Sequence, residues 1–235
     1  MQLRYYKQSD ISDVLLRKIS DFCIKESPGI TKDYLKSRLP LWLGIYIVID
    51  TDLEVIGFNP IITKVLRLGS QKRLFASPAY IFDKTIRGHG VVEKLFFGSF
   101  LKVTQAYPFE PIWLFSLCGN YKSYKVLHRN HPDVLPRPGH ELLGRDLEWA
   151  RLAAKELYNI ELTNGIAKNP KSRVLDGQRL LSQEKLISDD LAKFFTATNP
   201  EYCNGDALAC ITPVKVVNFL FSPIRHIKYK KLIRS

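Results

Sequence analysis

No run of uncharged apolar residues approaches the roughly 20 needed to cross a bilayer, and residues 1–10 lack the apolar core of a secretion signal. Cysteine is scarce as well. Cys23, Cys118, Cys203 and Cys210 contain no Cys-x-x-Cys pair, which excludes zinc-knuckle and dithiol-redox spacing, and four cysteines in 235 residues are too few for a disulfide scaffold. Carboxylates are outnumbered too, since 23 Asp and Glu stand against 35 Lys and Arg and leave a net charge of +12. A charge of that size attracts an anion, be it nucleic acid, an acidic carrier protein, a phosphorylated cofactor or an acidic membrane face, without choosing among them. No segment repeats. What is present is 46% hydrophobic residues, too many for a disordered chain and enough to bury one large core or a core with an annex. These features predict a soluble, cytoplasmic protein.

The order of elements follows from apolar spacing. Gln2 to Lys7 reads as a strand. Ile11, Val14, Leu15, Ile19 and Phe22 recur at helical spacing, and Thr31 can cap a second helix that ends near Pro40. Gly44 to Ile49 and Glu54 to Leu68 form a predicted hairpin around Asp50-Thr51-Asp52, and Arg73 to Phe82 a third strand in which Pro78 predicts a bulge or an unpaired side. A helix follows over Val91 to Gln105, then a buried strand over Ile112 to Cys118 and a helix from Tyr121 to about Arg129. Beyond Pro132 the pattern gives a helix over Leu142 to Tyr158, a turn at Asn164-Gly165, a short helix capped by Ser188, and a strand over Ala207 to Val217. The fold class is therefore α/β with a mixed sheet. The organisation predicted is a core over 1–132, an extension over 133–221 that completes the sheet, and a basic tail over 222–235. Trp42, Trp113 and Trp149 are predicted to be core.

The most informative residues are Arg87-Gly88-His89-Gly90-Val91, between an apolar strand and an amphipathic helix. Two glycines let the backbone approach a ligand, and the following helix directs its unpaired N–H groups and positive dipole end into the turn, which suits phosphate. Arg87 and His89 add charge for the same anion. The segment Tyr80 to Gly90 resembles the acyl-CoA signature of the GNAT superfamily of N-acyltransferases, in which an alternating strand leads into Q/R-x-x-G-x-G/A. Arg87 matches the first position and Gly90 the first glycine, while Val92 stands where the pattern has a small residue. Downstream, Asn120-Tyr121-Lys122-Ser123 resembles the N-x-x-A/S start of that superfamily's last core helix.

The resemblance covers about residues 2–131. It implies a mixed, splayed central sheet flanked by helices, with the C-terminal helical region as insertion or extension. It also implies acyl-CoA as cosubstrate in the splay, held by Phe82, Arg87, Gly88, His89, Gly90, Val91, Asn120 and Ser123. The tyrosine that many relatives carry seven residues after the Asn is replaced by Leu127, so Tyr124 and His128 become the candidate acids. Backbone N–H groups near Pro78 to Tyr80 are candidate oxyanion donors. His128 and His131 lie three apart with no further ligand at sensible spacing, so no metal is predicted.

The reading is an acyltransferase moving an acyl group from acyl-CoA, or from acyl carrier protein, to a small or amino-acid-like amine. A non-catalytic acyl-CoA-binding protein and a basic nucleic-acid-binding module are the alternatives, the second disfavoured because no nucleic-acid motif is present. Phe96, Phe97, Phe100, Phe219 and Phe221 either line an acyl channel or fill the core. The tail from Ser222 to Ser235, basic and without a carboxylate, is either a solvated extension or a contact for an acidic carrier protein or an anionic membrane surface.

Overall fold

The computed structural model describes residues 1–26, 30–83, 86, 91–168 and 188–215. Its elements, in order, are β1 (Gln2–Lys7), α1 (Asp13–Glu26), α2 (Lys32–Arg38), β2 (Trp42–Ile49), β3 (Val55–Leu68), β4 (Gln71–Pro78), β5 (Ile81–Phe82), α3 (Val91–Ala106), β6 (Ile112–Cys118), α4 (Tyr121–Asn130), α5 (Gly144–Tyr158), β7 (Leu162–Thr163), β8 (Ile166–Ala167), α6 (Asp190–Thr198) and β9 (Ala207–Pro213). One nine-stranded sheet runs β1-β2-β3-β4-β6-β9-β8-β7, with β5 also on β3. Among the described residues only β4 and β6 pair in parallel, so the expected mixed α/β sheet is present. The motif residues Arg87, Gly88, His89 and Gly90 and the whole tail 222–235 lie outside the described residues.

Alternation along the strands divides the interior into two layers. Phe58, Phe75 and Phe115 face α1, α2 and α5, where Leu16, Ile19, Leu35 and Trp149 complete one core. Leu74, Ala76 and Leu114 face the other way, against Val103 of α3, Tyr124 and Leu127 of α4, and Phe195 of α6. Helix α5 buries Trp149, Ala150, Ala153, Ala154 and Leu157, one stripe of a 3.6-residue period, and ends on Asn159 in the left-handed region at φ 55°. Arg73 of β4 ties this helix down. Its guanidinium lies 3.7 Å from the centre of the Trp113 ring and 4.7 Å from that of Trp149, and it pairs with Asp146. Trp42 and Trp149 are core as expected, whereas Trp113 is half-buried beneath Arg73.

Three sequence expectations need correction. The strand over Ala207 to Val217 does not close the sheet, because β9 pairs with β6 on one side and β8 on the other, and the two-residue strands β7 and β8, too short to show alternation, form the edge. The strand over Arg73 to Phe82 is broken at residues 79–80. The cap of α6 is Asp189, not Ser188: its carboxylate accepts from the amides of Leu191 and Ala192.

Asp189 also receives the ammonium of Lys125, at 2.6 Å, and the Tyr121 hydroxyl, fastening α4 to α6. Burial works to raise its carboxyl, but the hydrogen bonds from Lys125 and Tyr121 and the Lys125 charge hold it below the ordinary aspartate value. Burial and the bond to Asp189 push Tyr121 up to about 12. A carboxyl depressed in the folded state stabilises fully above its unfolded pKa and loses that contribution as pH falls through the folded value. Melting temperature is therefore expected to decline on acidification in the native protein. In Asp189→Asn it should start lower by the equivalent of about 1–2 kcal/mol and depend less on acid, which calorimetry from pH 7 to pH 3 checks.

Candidate active site

The site is a defect in the sheet. Strands β4 and β6 pair at Leu74 with Ile112, Phe75 with Trp113 and Ala76 with Leu114, and there the ladder stops. Both chains continue, β4 toward Pro78 and β6 to Cys118, but only their outer edges stay paired, with β3 and β9. The splay has a local cause. Pro78 brings no N–H, and Pro60 sits on β3 opposite residue 79. Register is nevertheless kept, since Ile61 pairs with Pro78, Phe58 with Ile81 and Gly57 with Phe82. The fully buried Asn59 fills the break: with its amide nitrogen turned to the carbonyls of Pro60 and Ala79, both at 3.2 Å, its oxygen accepts from Ser99 Oγ at 2.9 Å. Pro78 thus produces an unpaired side, one of the two outcomes its position predicts.

Because β4 and β6 are parallel, their carboxyl ends lie on the same side of the sheet. Beyond β5 come residues 87–90 and the first turn of α3, and beyond β6 come Asn120 and the first turn of α4. Two helix N-termini therefore flank the open end of the splay, the place where open α/β sheets bind ligands. On the α3 side the opening continues into a cleft of about 370 Å³, mouth included, lined by Ile61, Ala76, Ser77, Tyr80, Phe96, Ser99, Phe100, Val103, Ile112 and Leu114. Phe96 and Phe100 line it as a channel reading requires. Phe97 is 49% exposed on the outer side of α3, and Phe219 and Phe221 fall outside the described residues.

At the apex, Ser77 Oγ lies 2.6 Å from the Phe115 carbonyl oxygen and 2.6 Å from the Tyr158 hydroxyl. A carbonyl only accepts, so Ser77 donates to Phe115, and Tyr158 donates to Ser77. The pair bridges the strands just where their own hydrogen bonds end. Sequence reading missed both residues, for they lie 81 positions apart and neither stands in a motif.

The other expected site residues are distributed as follows. Phe82 is half-buried on β5, its ring stacked on Tyr80 with centroids 6.0 Å apart and seated over Gly57, where a Cβ would stand 2.7 Å from it. Val91 is buried at the start of α3 with Val48, Ile86 and Leu95. Asn120 and Ser123 are brought together, but through the helix cap: Asn120 Oδ1 accepts from the Ser123 amide at 2.9 Å.

Tyr124 and His128 lie apart from the cleft. Tyr124 is fully buried against Phe195, its hydroxyl donates to the Pro136 carbonyl at 2.9 Å, and burial pushes its pKa far up. His128 packs edge-on against that ring at 4.5 Å, with Nε2 3.4 Å from the same carbonyl, and burial lowers its pKa. Neither lines the cleft, because the face of α4 that carries them turns toward residue 136 and α6. Among the described residues no cluster of three His, Cys, Asp or Glu side chains is arranged to hold a metal, and no helix is long and apolar enough to cross a membrane.

No family model and no curated protein matches the chain. Solved structures similar to it include the aminoglycoside N-acetyltransferase AAC(6')-Iy in complex with CoA, at 17% identity over 54% of this chain and 84% of that one, with a TM-score of 0.41. The GNAT family N-acetyltransferase YhbS from Escherichia coli, also with CoA, aligns at 11% identity over 55% and 71%, with a TM-score of 0.40. The NatC complex bound to Gag peptide and CoA aligns at 14% identity over 92% of this chain and 100% of that one, with a TM-score of 0.45.

Proposed function

We propose that the chain is an acyl-CoA-dependent N-acyltransferase of the GNAT type. The observation that carries this reading is the splay: two parallel strands part after three paired residues, β6 leading into the N-terminus of α4, and α3 being the next helix along the chain after β4 and β5. An extended pantetheine arm fits such a gap as a missing strand would. The pyrophosphate then falls on the amides of Gly88, His89, Gly90 and Val91, with Arg87 adding charge and Phe82 and Asn120 flanking the arm.

In this arrangement the acceptor amine attacks the thioester carbon. The N–C bond forms, the C–S bond breaks, and the departing thiolate takes a proton. Tyr158, whose hydroxyl is already aimed at the apex through Ser77, supplies that proton, and the amides of residues 79–80, outside the β3 ladder, stabilise the developing oxyanion. Acyl-CoA is the donor proposed, with acyl carrier protein as the variant that would use the basic tail.

Calorimetry of the full chain with CoA tests the reading. Binding is expected, and Gly90→Val is expected to weaken it by about tenfold or more, because a branched Cβ blocks the approach of the phosphate. Equal affinity in a folded Gly90→Val protein, or no CoA binding by the native chain, would overturn it.

A further inference from the structure

On the α1–α2 side of the splay, a cation and an indole donor have no acceptor. Arg38 closes α2 with its guanidinium carbon 5.7 Å from the centre of the Tyr158 ring. Its Nε and Nη2 are out of water and without a hydrogen-bond partner, and no ion pair among the described residues includes it. Trp42, four positions on, is only 4% exposed, and its Nε1 is equally unpartnered. Register ties both to the apex. Trp42 pairs with Ile62 and Ile62 with Ser77, while Ser77 meets the hydroxyl of the same Tyr158 whose ring Arg38 covers.

Arginine and tryptophan side chains only donate, and buried donors left unpaired are exceptions in folded proteins. A cation at the end of a helix is ordinarily satisfied by water and by the carbonyls of the last turn. Here it is turned onto an aromatic ring beside the reaction apex, which is an arrangement for receiving an anion. A planar guanidinium matches a carboxylate with two parallel hydrogen bonds.

We infer that Arg38 is the subsite for the carboxylate of the acceptor, so that the acceptor is a small amine bearing a carboxylate, a free amino acid in chemical class. This rests on the acyltransferase reading and narrows it. The Tyr158 side chain spans the two ends of the site: its hydroxyl marks where the amine must stand to meet the thioester, and its ring lies under the group that holds the carboxylate. Arg38 thereby selects the substrate and orients its amine, and takes no part in proton transfer.

The experiment compares free amino acids with their α-amides, in which the carboxylate is neutralised, as acceptors in thiol release from acetyl-CoA and octanoyl-CoA by the full chain. The acid of a pair is expected to exceed its amide by about tenfold or more in kcat/KM. Arg38→Gln should erase that ratio by raising KM for the acid, Arg38→Lys should restore part of it, and CoA affinity by calorimetry should stay unchanged in both. A merely structural role would alter melting temperature and CoA affinity while leaving the acid-to-amide ratio as it is. Amides turned over as well as acids, a preference that survives Arg38→Gln, or CoA binding with turnover of neither series would each overturn the acceptor assignment and leave CoA binding standing. Absence of CoA binding by the native chain would overturn both readings.

Discussion

Tyr158→Phe is expected to fold as the native chain does, to bind CoA with unchanged affinity, and to lose about a hundredfold in kcat. The substitution removes one oxygen. The ring keeps its contacts with Phe115, at 5.9 Å between centroids, and with Arg38, so the packing of α5 is undisturbed. What disappears is the donor to Ser77 at the point where β4 and β6 part. Ser77 keeps its bond to the Phe115 carbonyl and the splay keeps its shape, which restricts the loss to the chemical step. Steady-state thiol release at saturating acceptor measures it. Activity within a factor of about two of the native chain would place the proton donor elsewhere and return Tyr158 to a packing role.

A chain ending at residue 132 is expected not to fold. The sequence suggests a core over 1–132 with an extension, but the extension supplies β9, the outer neighbour of β6, and α5, which covers Phe75 and Phe115. Without them β6 has three paired residues and half of one hydrophobic layer faces water. A graded version of the same loss is Trp149→Ala. This side chain is fully buried and touches Phe75 and Arg73, and its removal should cost about 3–5 kcal/mol, a large share of the roughly 5–15 kcal/mol that holds such a domain together. Amide spectra of the truncated chain and urea unfolding of Trp149→Ala give the two readouts. A dispersed spectrum from residues 1–132 would show that the extension is an appendage after all.

Much of the scaffold could be read from local pattern. The hairpin of β2 and β3, the uninterrupted apolar run of β6, the cap at Thr31 and the disruptive proline of β4 are each encoded within a few residues, and each appears where spacing and chemistry put it. The site residues were less accessible. The 3.6-residue period makes Tyr124 a member of an apolar face but does not say that residues 136 and 195 will cover that face. Ser77, Tyr158, Arg38 and Trp42 come from four elements: β3 sets the register that puts Trp42 and Ser77 in one row of the sheet, while Tyr158 of α5 meets Ser77 through its hydroxyl and Arg38 of α2 through its ring. Nothing near any one of them in sequence announces the other three.

The pairing of Trp113 with Pro213 and of Cys118 with Leu208 also fixes an order in time. Strands β2, β3 and β4 are joined by tight connections, β1 precedes them in the chain, and all four can pair while the chain is being made, but β6 waits for its outer neighbour about 90 residues downstream, at a closure cost that grows slowly with loop length while the delay grows in proportion to it. At a synthesis rate of about 5–20 residues per second, the apolar edge Ile112–Cys118 stands open for roughly 5–20 seconds before residues 207–213 are available. During that interval the nascent chain presents the very edge that invites pairing with another polypeptide, so slower passage through residues 119–213 lengthens the time at risk of misassembly.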